Sequence, residues 1–470
     1  MKNPQLQNAD IARLCRSLSL LLHSGISQAD SLHLMAKEEG HPWDAVLAEM
    51  GTALDGGAYL SDVLESSGVF PRYVYGMVRI GEETGRTEEA LASLADYYNE
   101  RCRVNKLIRS SLAYPSLILG VMLVGSADAS LQSRQLMGVI LGFILMVIFS
   151  LMDYSWLLNF QWIIYGLNLL LLIGVRILGD SAGGATRWIE IAGIRFQPTE
   201  LTKIFIILFF AKFFLDHEEN INSFKVIVQG ILLLALPLIL VYVQPDLKNT
   251  ITLILLFCVL IYIAGLSYKV IFGIILAVVP LLVIFLTIIV QPDQTLIKDY
   301  QRNRIMAWLY PENEEYQDNI TQQENSITAI GSGQLTGKGL NNNEVSSANK
   351  GNFVSQIQTD FIFAVAGEEL GFLGTSGIII LLLLIDLECI LMGRRAKDMA
   401  GKMICCGVAT VVSFQSFINI CVATGMMPNT GTPLPFLSYG LTSLVSLYIG
   451  MGVVLNVGLQ SKIHITGERT

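Results

Sequence analysis

A series of long apolar segments fills the second part of this sequence and limits its fold more than any other feature. A helix that crosses the hydrocarbon core of a bilayer needs about 20 mostly apolar residues. About ten segments approach that length, near residues 112–128, 135–153, 157–178, 199–216, 224–243, 249–267, 269–291, 359–392, 402–424 and 438–458. We therefore expect an all-α chain whose larger part, residues 111–470, is a polytopic membrane domain of about ten transmembrane helices.

The composition agrees with a membrane protein and excludes several other classes. Only 15% of the residues are charged, whereas about a quarter are charged in a typical soluble domain. The net charge of -8 offers no basic surface for phosphates, so we expect no nucleic acid partner. The 7 cysteines have neither paired nor zinc-binding spacing, and we interpret them as reduced packing residues.

The first part of the chain, residues 1–110, has the pattern of a small helical bundle in water. Ile11, Leu14 and Leu18 recur at spacings of three and four residues, which is typical of one apolar helix face. Thr87, followed by two glutamates, predicts the N-terminus of a further helix. The polar first residues contain no visible cleavable signal peptide, so we expect this part to stay in the cytosol.

Three clusters of basic residues predict the orientation of the membrane domain. They comprise Arg101, Arg103, Lys106 and Arg109, then Arg394, Arg395, Lys397 and Lys402, and finally Lys462 and Arg469. Cytosolic loops carry an excess of Lys and Arg, so all three clusters are expected on the cytosolic side. Both chain ends are then cytoplasmic, and residues 292–358 form a long external loop, of a length that is usually functional or disordered.

Charged and aromatic side chains near the external ends of the spans are the candidate functional residues, because an ionisable group at membrane depth is expensive. They are Arg187, Trp188, Glu200, Lys203, Asp246, Lys248, Asp360, Glu368 and Glu369. Glu200 and Lys203 share a helix face, so a mutual ion pair explains them as well as substrate binding does. Asp246 stands at a predicted helix start, where an acidic residue also has a purely structural use.

Two glycine motifs have simpler explanations than catalysis. Residues 331–339 resemble a Walker A loop, but Ser332 replaces a required glycine and Gly339 replaces the Ser or Thr that would hold magnesium. Gly138 and Gly142 lie one helical turn apart, which predicts close packing of the second span against another helix. We therefore expect no nucleotide site in this chain.

Several turn motifs in the first part occur in the order found in a known cytoplasmic module. DGGAYLSDV occupies residues 55–63, GEETG residues 81–85 and AYP residues 113–115. In this order they resemble one repeat of the type II secretion F domain, over about residues 10–119. The resemblance implies a helical cytoplasmic module of the pilus and secretion platform. That family typically carries two such modules, whereas one is present here.

The membrane part carries a longer ordered set of motifs. They are GATRW at 184–188, QPTE at 197–200, QPDL at 244–247, AIGSG at 329–333, LTGKG at 335–339, TDFIFAVAGEELGFLG at 359–374 and PNTGTPLPFLSYG at 428–440. Over about residues 120–458 the chain resembles the SEDS family of bacterial cell-wall polymerases, RodA and FtsW. The segments GSADASLQSRQ and GNFVSQIQTD are closer to RodA, the elongation member.

The resemblance implies a peptidoglycan glycosyltransferase that joins lipid II disaccharides into glycan strands during cell-wall elongation. Asp360 matches the essential aspartate of the family and would act as general base on the acceptor hydroxyl. The leaving pyrophosphate needs positive charge, which Arg187 or Lys203 could supply. A divalent cation, Mg²⁺ or Mn²⁺, held by Glu200 or Asp246 could do the same.

The resemblance also implies partners and a location. We expect a multi-pass protein of the bacterial plasma membrane that contacts membrane lipids, lipid II, a class B penicillin-binding protein transpeptidase and the elongation machinery. Two alternatives stay open. A lipid II flippase would use the same buried charges for transport without a base, and a scaffold of the secretion or pilus platform would depend on the first part alone.

Overall fold

A computed structural model of the chain divides into two compact units, residues 1–113 and 114–470. It describes residues 6–37, 43–99, 101–102, 129–182, 185–191, 194–270, 272–273, 276, 280, 287–291, 294, 297–339 and 358–460. The helices of the first unit are α1 (Asn8–His23), α2 (Gln28–Ala36), α3 (Asp44–Asp55), α4 (Leu60–Ser66), α5 (Arg72–Thr84) and α6 (87–99). The helical part of the prediction for this region is confirmed, whereas its cytosolic location stays a prediction.

The first unit has its own apolar core. Leu18, Leu32, Leu60 and Val78 come from four different helices and are completely buried in it. The thiol of Cys15 lies in the same core, where burial raises its pKa to about 12. This cysteine is therefore an unreactive packing residue, as its position on the apolar face of α1 suggests.

The GEETG turn holds two helices of the first unit together. The Glu82 carboxylate accepts hydrogen bonds from the backbone N–H groups of Leu60, at 2.7 Å, and Ser61, at 3.1 Å. These groups belong to the first turn of α4, which has no partner for them within the helix. Gly85 ends α5 with a left-handed φ of 71°, a conformation that favours glycine. The motif therefore has a structural explanation at both residues.

The second unit consists mainly of helices. They are α7 (Ala129–Leu151), α8 (Tyr154–Leu158), α9 (Gln161–Leu178), α10 (Pro198–Asp216), α11 (Phe224–Val243), α12 (Leu247–Ile263), α13 (Asp299–Leu309), α14 (Gln317–Ser332), α15 (Ile362–Arg394), α16 (Met399–Ala423) and α17 (Leu441–Leu459). Five of them, α9, α11, α15, α16 and α17, are long and apolar enough to cross a membrane. Helices α7, α10 and α12 coincide with three more predicted spans. The predicted spans 112–128 and, for the most part, 269–291 lie outside the described residues, so the count of ten stays a prediction.

Two segments between the predicted spans contain regular structure. Strands β1 (Asp180–Ala182), β2 (Ala185–Ile191) and β3 (Ile194–Phe196) form an antiparallel sheet in that order, so the chain is not purely α-helical. The strands are rich in isoleucine, which fits a pleated surface better than a helix. The long loop 292–358 contains helices α13 and α14, which return part of it to the ends of the longer helices.

Close helix packing occurs where the paired glycines predict it. A Cβ atom on Gly142 would lie 2.5 Å from the ring of Tyr448, and one on Gly138 would lie 3.5 Å from Leu444. Both partners belong to α17, which α7 contacts along its length. The predicted packing role of the two glycines is confirmed.

A proline inside α11 is compensated by a neighbouring helix. Pro237 has no N–H group, so the carbonyl of Leu233, four residues earlier, loses its helical partner. The hydroxyl of Tyr165, on α9, donates a hydrogen bond of 2.7 Å to that carbonyl. Since unpaired carbonyls are costly in an apolar medium, this bond stabilises α11 at the proline and fixes α9 against α11.

Candidate functional site

Asp360 lies in a turn immediately before α15, and its backbone is held from two sides. The side-chain amide of Asn419, on α16, donates to the carbonyl of Asp360 at 2.8 Å and to that of Thr432 at 2.7 Å. The hydroxyl of Ser438 donates to the carbonyl of Thr359 at 2.5 Å. The TDF and PNTGTPLPFLSYG motifs are therefore bonded to each other, which fixes the position of the carboxylate.

Three basic side chains surround the carboxylate. A Cβ atom on Gly431 would lie 3.1 Å from a carboxylate oxygen of Asp360 and 3.5 Å from the guanidinium of Arg304. The ammonium of Lys248 donates to the carbonyl of the same Gly431. Burial raises the pKa of Asp360, while Lys248, Arg304 and Arg187 oppose that rise. The result is a partly buried acid in a positively charged environment.

Arg304 was not among the predicted site residues. It lies on α13, within the segment predicted as a loop, and burial lowers the pKa of its guanidinium while the charge of Asp360 opposes that change. In its neighbourhood Ile305, Trp308 and Leu309 recur at spacings of three and four residues, which could have indicated a short helix. Nothing local indicates that this helix returns to Asp360.

Arg187 is held beside the site by the QPDL turn. Its guanidinium donates to the carbonyl of Pro245 and to the hydroxyl of Tyr300, and lies 5.9 Å from the ring centre of Tyr300. The Tyr300 hydroxyl itself donates to Pro245 at 2.9 Å. Trp188 follows Arg187 on β2 and is partly buried. The arrangement gives Arg187 a fixed place close to Asp360, whereas the role of Trp188 stays a prediction.

Two other predicted site residues, Glu200 and Asp246, make local contacts. The Lys203 ammonium lies 2.7 Å from the Glu200 carboxylate, and both side chains are almost completely buried. Asp246 caps α12 and accepts hydrogen bonds from the side chains of Asn249, at 2.8 Å, and Gln197, at 3.2 Å. These contacts agree with the two structural roles expected as alternatives to substrate binding, an ion pair for Glu200 and Lys203 and a helix start for Asp246. Substrate binding by these residues stays a prediction.

The same contacts bear on the predicted divalent cation. Within the described part of the chain, no group of three or more His, Cys, Asp or Glu residues lies close enough together to hold a metal ion. Of the two predicted ligands, Glu200 is paired with an ammonium group and Asp246 is bonded to amide groups. A divalent cation held by Glu200 or Asp246 therefore stays a prediction.

Glu368 and Glu369 lie on α15 beyond Asp360. The ammonium of Lys338 donates to the Glu368 carboxylate at 2.9 Å, and both glutamates are buried. Lys338 belongs to the LTGKG motif. The structure therefore brings the GEELG and LTGKG motifs together, which sequence order alone did not predict.

An apolar cleft of about 700 Å³ runs between α12, α15 and α16. Its walls include Leu255, Leu382, Leu383, Ala409, Phe417 and Ile420. On α16 the lining extends to the residue after Asn419, which holds the Asp360 backbone. On this helix the cleft therefore ends next to the asparagine that holds the Asp360 backbone.

The cleft also contains a buried acid that the sequence analysis missed. Asp386 is 6% exposed and accepts a hydrogen bond of 2.6 Å from the Ser413 hydroxyl. Two acidic residues deep inside an apolar segment, Asp386 and Glu388, were the available signal.

Comparison with known proteins identifies relatives of both units. The profile of the FTSW_RODA_SPOVE family, described as cell cycle protein, matches residues 112–463, and that of type II secretion system protein F matches residues 14–127. The chain is 32% identical over 357 residues to a Geobacter sulfurreducens protein named probable peptidoglycan glycosyltransferase FtsW, covering 73% of this chain and 92% of the relative. It is 29% identical over 360 residues to the Escherichia coli peptidoglycan glycosyltransferase MrdB, covering 76% and 93%.

Solved structures share the fold of the second unit. One chain, from work described as structural coordination of polymerization and crosslinking by a peptidoglycan synthase complex, is 26% identical with a TM-score of 0.62, covering 75% of this chain and 96% of that one. The rod shape determining protein RodA of Thermus thermophilus is 24% identical with a TM-score of 0.54, covering 75% and 95%. The second match supports the fold alone. Both family resemblances expected from the motifs are confirmed.

Proposed function

Because this chain belongs to the FtsW, RodA and SpoVE family of cell cycle proteins, we propose that Asp360 is the catalytic base with which it polymerises lipid II. The chain is a multi-pass membrane protein and a peptidoglycan glycosyltransferase, the activity for which its relatives from Geobacter and Escherichia coli are named. The observation that carries the proposal is a single carboxylate faced by Lys248, Arg304 and Arg187 beside an apolar cleft.

The arrangement fits the chemistry of glycosyl transfer. A sugar hydroxyl is a poor nucleophile, and a carboxylate that accepts its proton contributes about 10² to 10⁴ in rate. As the acceptor oxygen bonds to the anomeric carbon of the donor, the proton passes to Asp360. The bond from that carbon to the diphosphate breaks, and its electron pair leaves on the diphosphate oxygen. The raised pKa of Asp360 brings this base closer to neutral pH.

The three basic side chains serve the leaving group in this proposal. Lys248, Arg304 and Arg187 would neutralise the charge that develops on the diphosphate, in a site where water screens poorly. The cleft between α12, α15 and α16 would hold the hydrocarbon tail, since its walls are apolar. A lipid-linked donor has both of these parts, a charged diphosphate and a long apolar chain.

Orientation and partners follow from the same premise. The basic clusters of the sequence place the two chain ends in the cytoplasm, so Asp360 would face the opposite side of the plasma membrane. One structural relative belongs to a peptidoglycan synthase complex described as coordinating polymerization and crosslinking. We therefore propose a class B penicillin-binding protein as the crosslinking partner, within the elongation machinery.

An Asp360→Asn variant tests the base. Fluorescent lipid II incubated with the purified full-length protein should give glycan strands with the original chain and at least about 100-fold less product with the variant. Membrane insertion should be unchanged, because the substitution keeps the size of the side chain. Glu218→Gln, at an exposed carboxylate after α10, is the matched control and should retain full activity.

The same assay separates the alternatives. Glycan strands from Asp360→Asn at the original rate would refute the base assignment. If that variant still moved lipid II across vesicle membranes and the original chain never polymerised it, a flippase would be the better conclusion. Copurification with a secretion ATPase would instead favour the platform scaffold.

A further inference from the structure

The helix that follows Asp360 is broken near its start. Gly371 interrupts α15 with a φ of 66° and a ψ of -165°, values that no right-handed helix contains. The segment 362–370 is therefore a separate short helix, and Asp360 lies directly before it. A break of this kind removes the helical hydrogen bonds that span it. The backbone N–H and C=O groups on either side then need other partners, because water is scarce there.

The turn 333–339 supplies the missing partners. Its N–H and C=O groups make four backbone hydrogen bonds across the break, from Lys338 N to Glu368 O at 2.9 Å, from Gly339 N to Glu369 O at 3.1 Å, from Phe372 N to Gln334 O at 2.8 Å and from Leu373 N to Leu335 O at 3.1 Å. Both sides of the break are thus bonded to one turn. The two helical pieces can keep their relative angle only while the turn stays in place.

Glycines make this backbone contact possible. A Cβ atom on Gly333 would lie 1.9 Å from the carbonyl oxygen of Gly367, and one on Gly337 would lie 2.1 Å from that of Glu369. A Cβ atom on Gly371 would lie 2.3 Å from the Gly337 nitrogen. Real side chains do not tolerate such distances. Gly333, Gly337 and Gly371 therefore allow the two backbones to lie in direct contact.

The turn is itself fixed at both ends. The side chain of Gln323, on α14, donates to the carbonyls of Val422 at 2.8 Å and Met427 at 2.7 Å, at the end of α16. At the other end, the Lys338 ammonium forms an ion pair of 2.9 Å with the buried Glu368. The turn thus connects α16, which also holds the Asp360 backbone, to the break in α15.

We infer that the turn 333–339 is a positioning element that fixes the 362–370 helix at the angle needed to hold Asp360 against Arg304 and Lys248. The inference rests on the proposed function. About ten residues separate Gly371 from Asp360, or roughly 15 Å along a helix, so a tilt of about 5° at the break moves the carboxylate by about 1 Å. A displacement of that size can cost about 100-fold in rate.

Alanine substitutions at the contact glycines test the inference. Gly337→Ala and Gly371→Ala should lower the kcat of lipid II polymerisation by about 100-fold and change KM by less than about threefold, because neither residue lies among the basic groups or in the cleft. Gly331→Ala and Gly377→Ala are matched controls. Apart from the adjacent residues and the backbone of the same helix, no described atom lies within 4 Å of a Cβ atom at either position, so both should behave as the original chain.

The pH profile distinguishes positioning from general damage. Moving Asp360 away from Lys248 and Arg304 removes charges that lower its pKa. The acid limb of the pH profile, the range in which kcat falls as the pH drops, should therefore shift to higher pH in Gly337→Ala and Gly371→Ala. A loss of properly folded protein would reduce kcat without moving the limb. An unmoved limb, or original activity in both alanine variants, would overturn the inference.

A side-chain pair provides a second test with little risk to folding. Lys338→Met should lower kcat severalfold and shift the acid limb in the same direction, whereas Lys338→Arg should restore both by renewing the ion pair to Glu368. Equal results for Met and Arg would count against the inference. The Asp360→Asn variant separates this inference from the proposed function. Its activity tests the base role of Asp360 alone, because its turn 333–339 is unchanged.

Discussion

Two sets of ion pairs, one in each unit, differ in their exposure to water. In the first unit, Arg79 pairs with Asp62 and Glu65, and these side chains are 44%, 58% and 49% exposed. In the second unit, the side chains of Lys203 and Glu200 form a pair that is 2% and 3% exposed. Exposed pairs contribute little because water screens them, whereas a buried charge depends on its partner. Substitution should therefore be tolerated at the exposed pairs of Arg79 and resisted at the buried pair of Lys203 and Glu200.

The largest effect should come from breaking the buried pair. Lys203→Met leaves the Glu200 carboxylate buried without its cation, which should cost about 3 to 5 kcal/mol of stability. Arg79→Met should barely change it, because its partners are in contact with water. Thermal unfolding of the full-length chain in detergent would measure both variants. Similar losses in the two proteins would show that the contrast between the units is wrong.

The pH dependence of polymerisation sharpens the comparison at the active site. Asp360 works as a base only when ionised, so the rate should fall as the pH drops through its raised pKa. Arg304→Met removes a charge that opposes that rise, so the acid limb should move to higher pH. Because Arg304 also serves the leaving group in the proposed function, the activity is compared with the plateau of the same variant; at a fixed pH on the limb this ratio should fall about tenfold for each pH unit by which the limb moves.

The control for this change lies on the same helix. Arg302 donates to the carbonyl of Val290 at 3.4 Å, and it is not among the groups that act on Asp360. Arg302→Met should therefore leave the limb where it is. An equal displacement of the limb in both variants would mean that the net charge of α13, and not its contact with Asp360, sets the pKa.

The sequence predicted the features that depend on local signals and could not predict those that depend on contacts between distant segments. Apolar length identified the long helices, and the motif around Asp360 identified the carboxylate, because both signals are local. Arg304 could not be predicted as a site residue because only the fold brings it to Asp360. The two residues are more than fifty positions apart in the sequence. The break at Gly371 could not be predicted for a similar reason. Four glycines, at positions 367, 371, 374 and 377, lie in the same segment, and nothing local shows which of them leaves the helix; the distant turn 333–339 makes the break at Gly371 stable in an apolar medium.

The smallest expected effect is confined to the first unit. Glu82→Ala removes both hydrogen bonds that cap α4, which should lower the local stability of that helix by about 1 kcal/mol. Hydrogen exchange in the full-length chain should then be about fivefold faster for residues 60–66. Exchange in α10 and α16 should be unchanged, because the cap belongs to the first unit, which has its own apolar core. Faster exchange there would mean that the two units do not fold independently. The stability losses of Lys203→Met and Arg79→Met could then not be assigned to separate units.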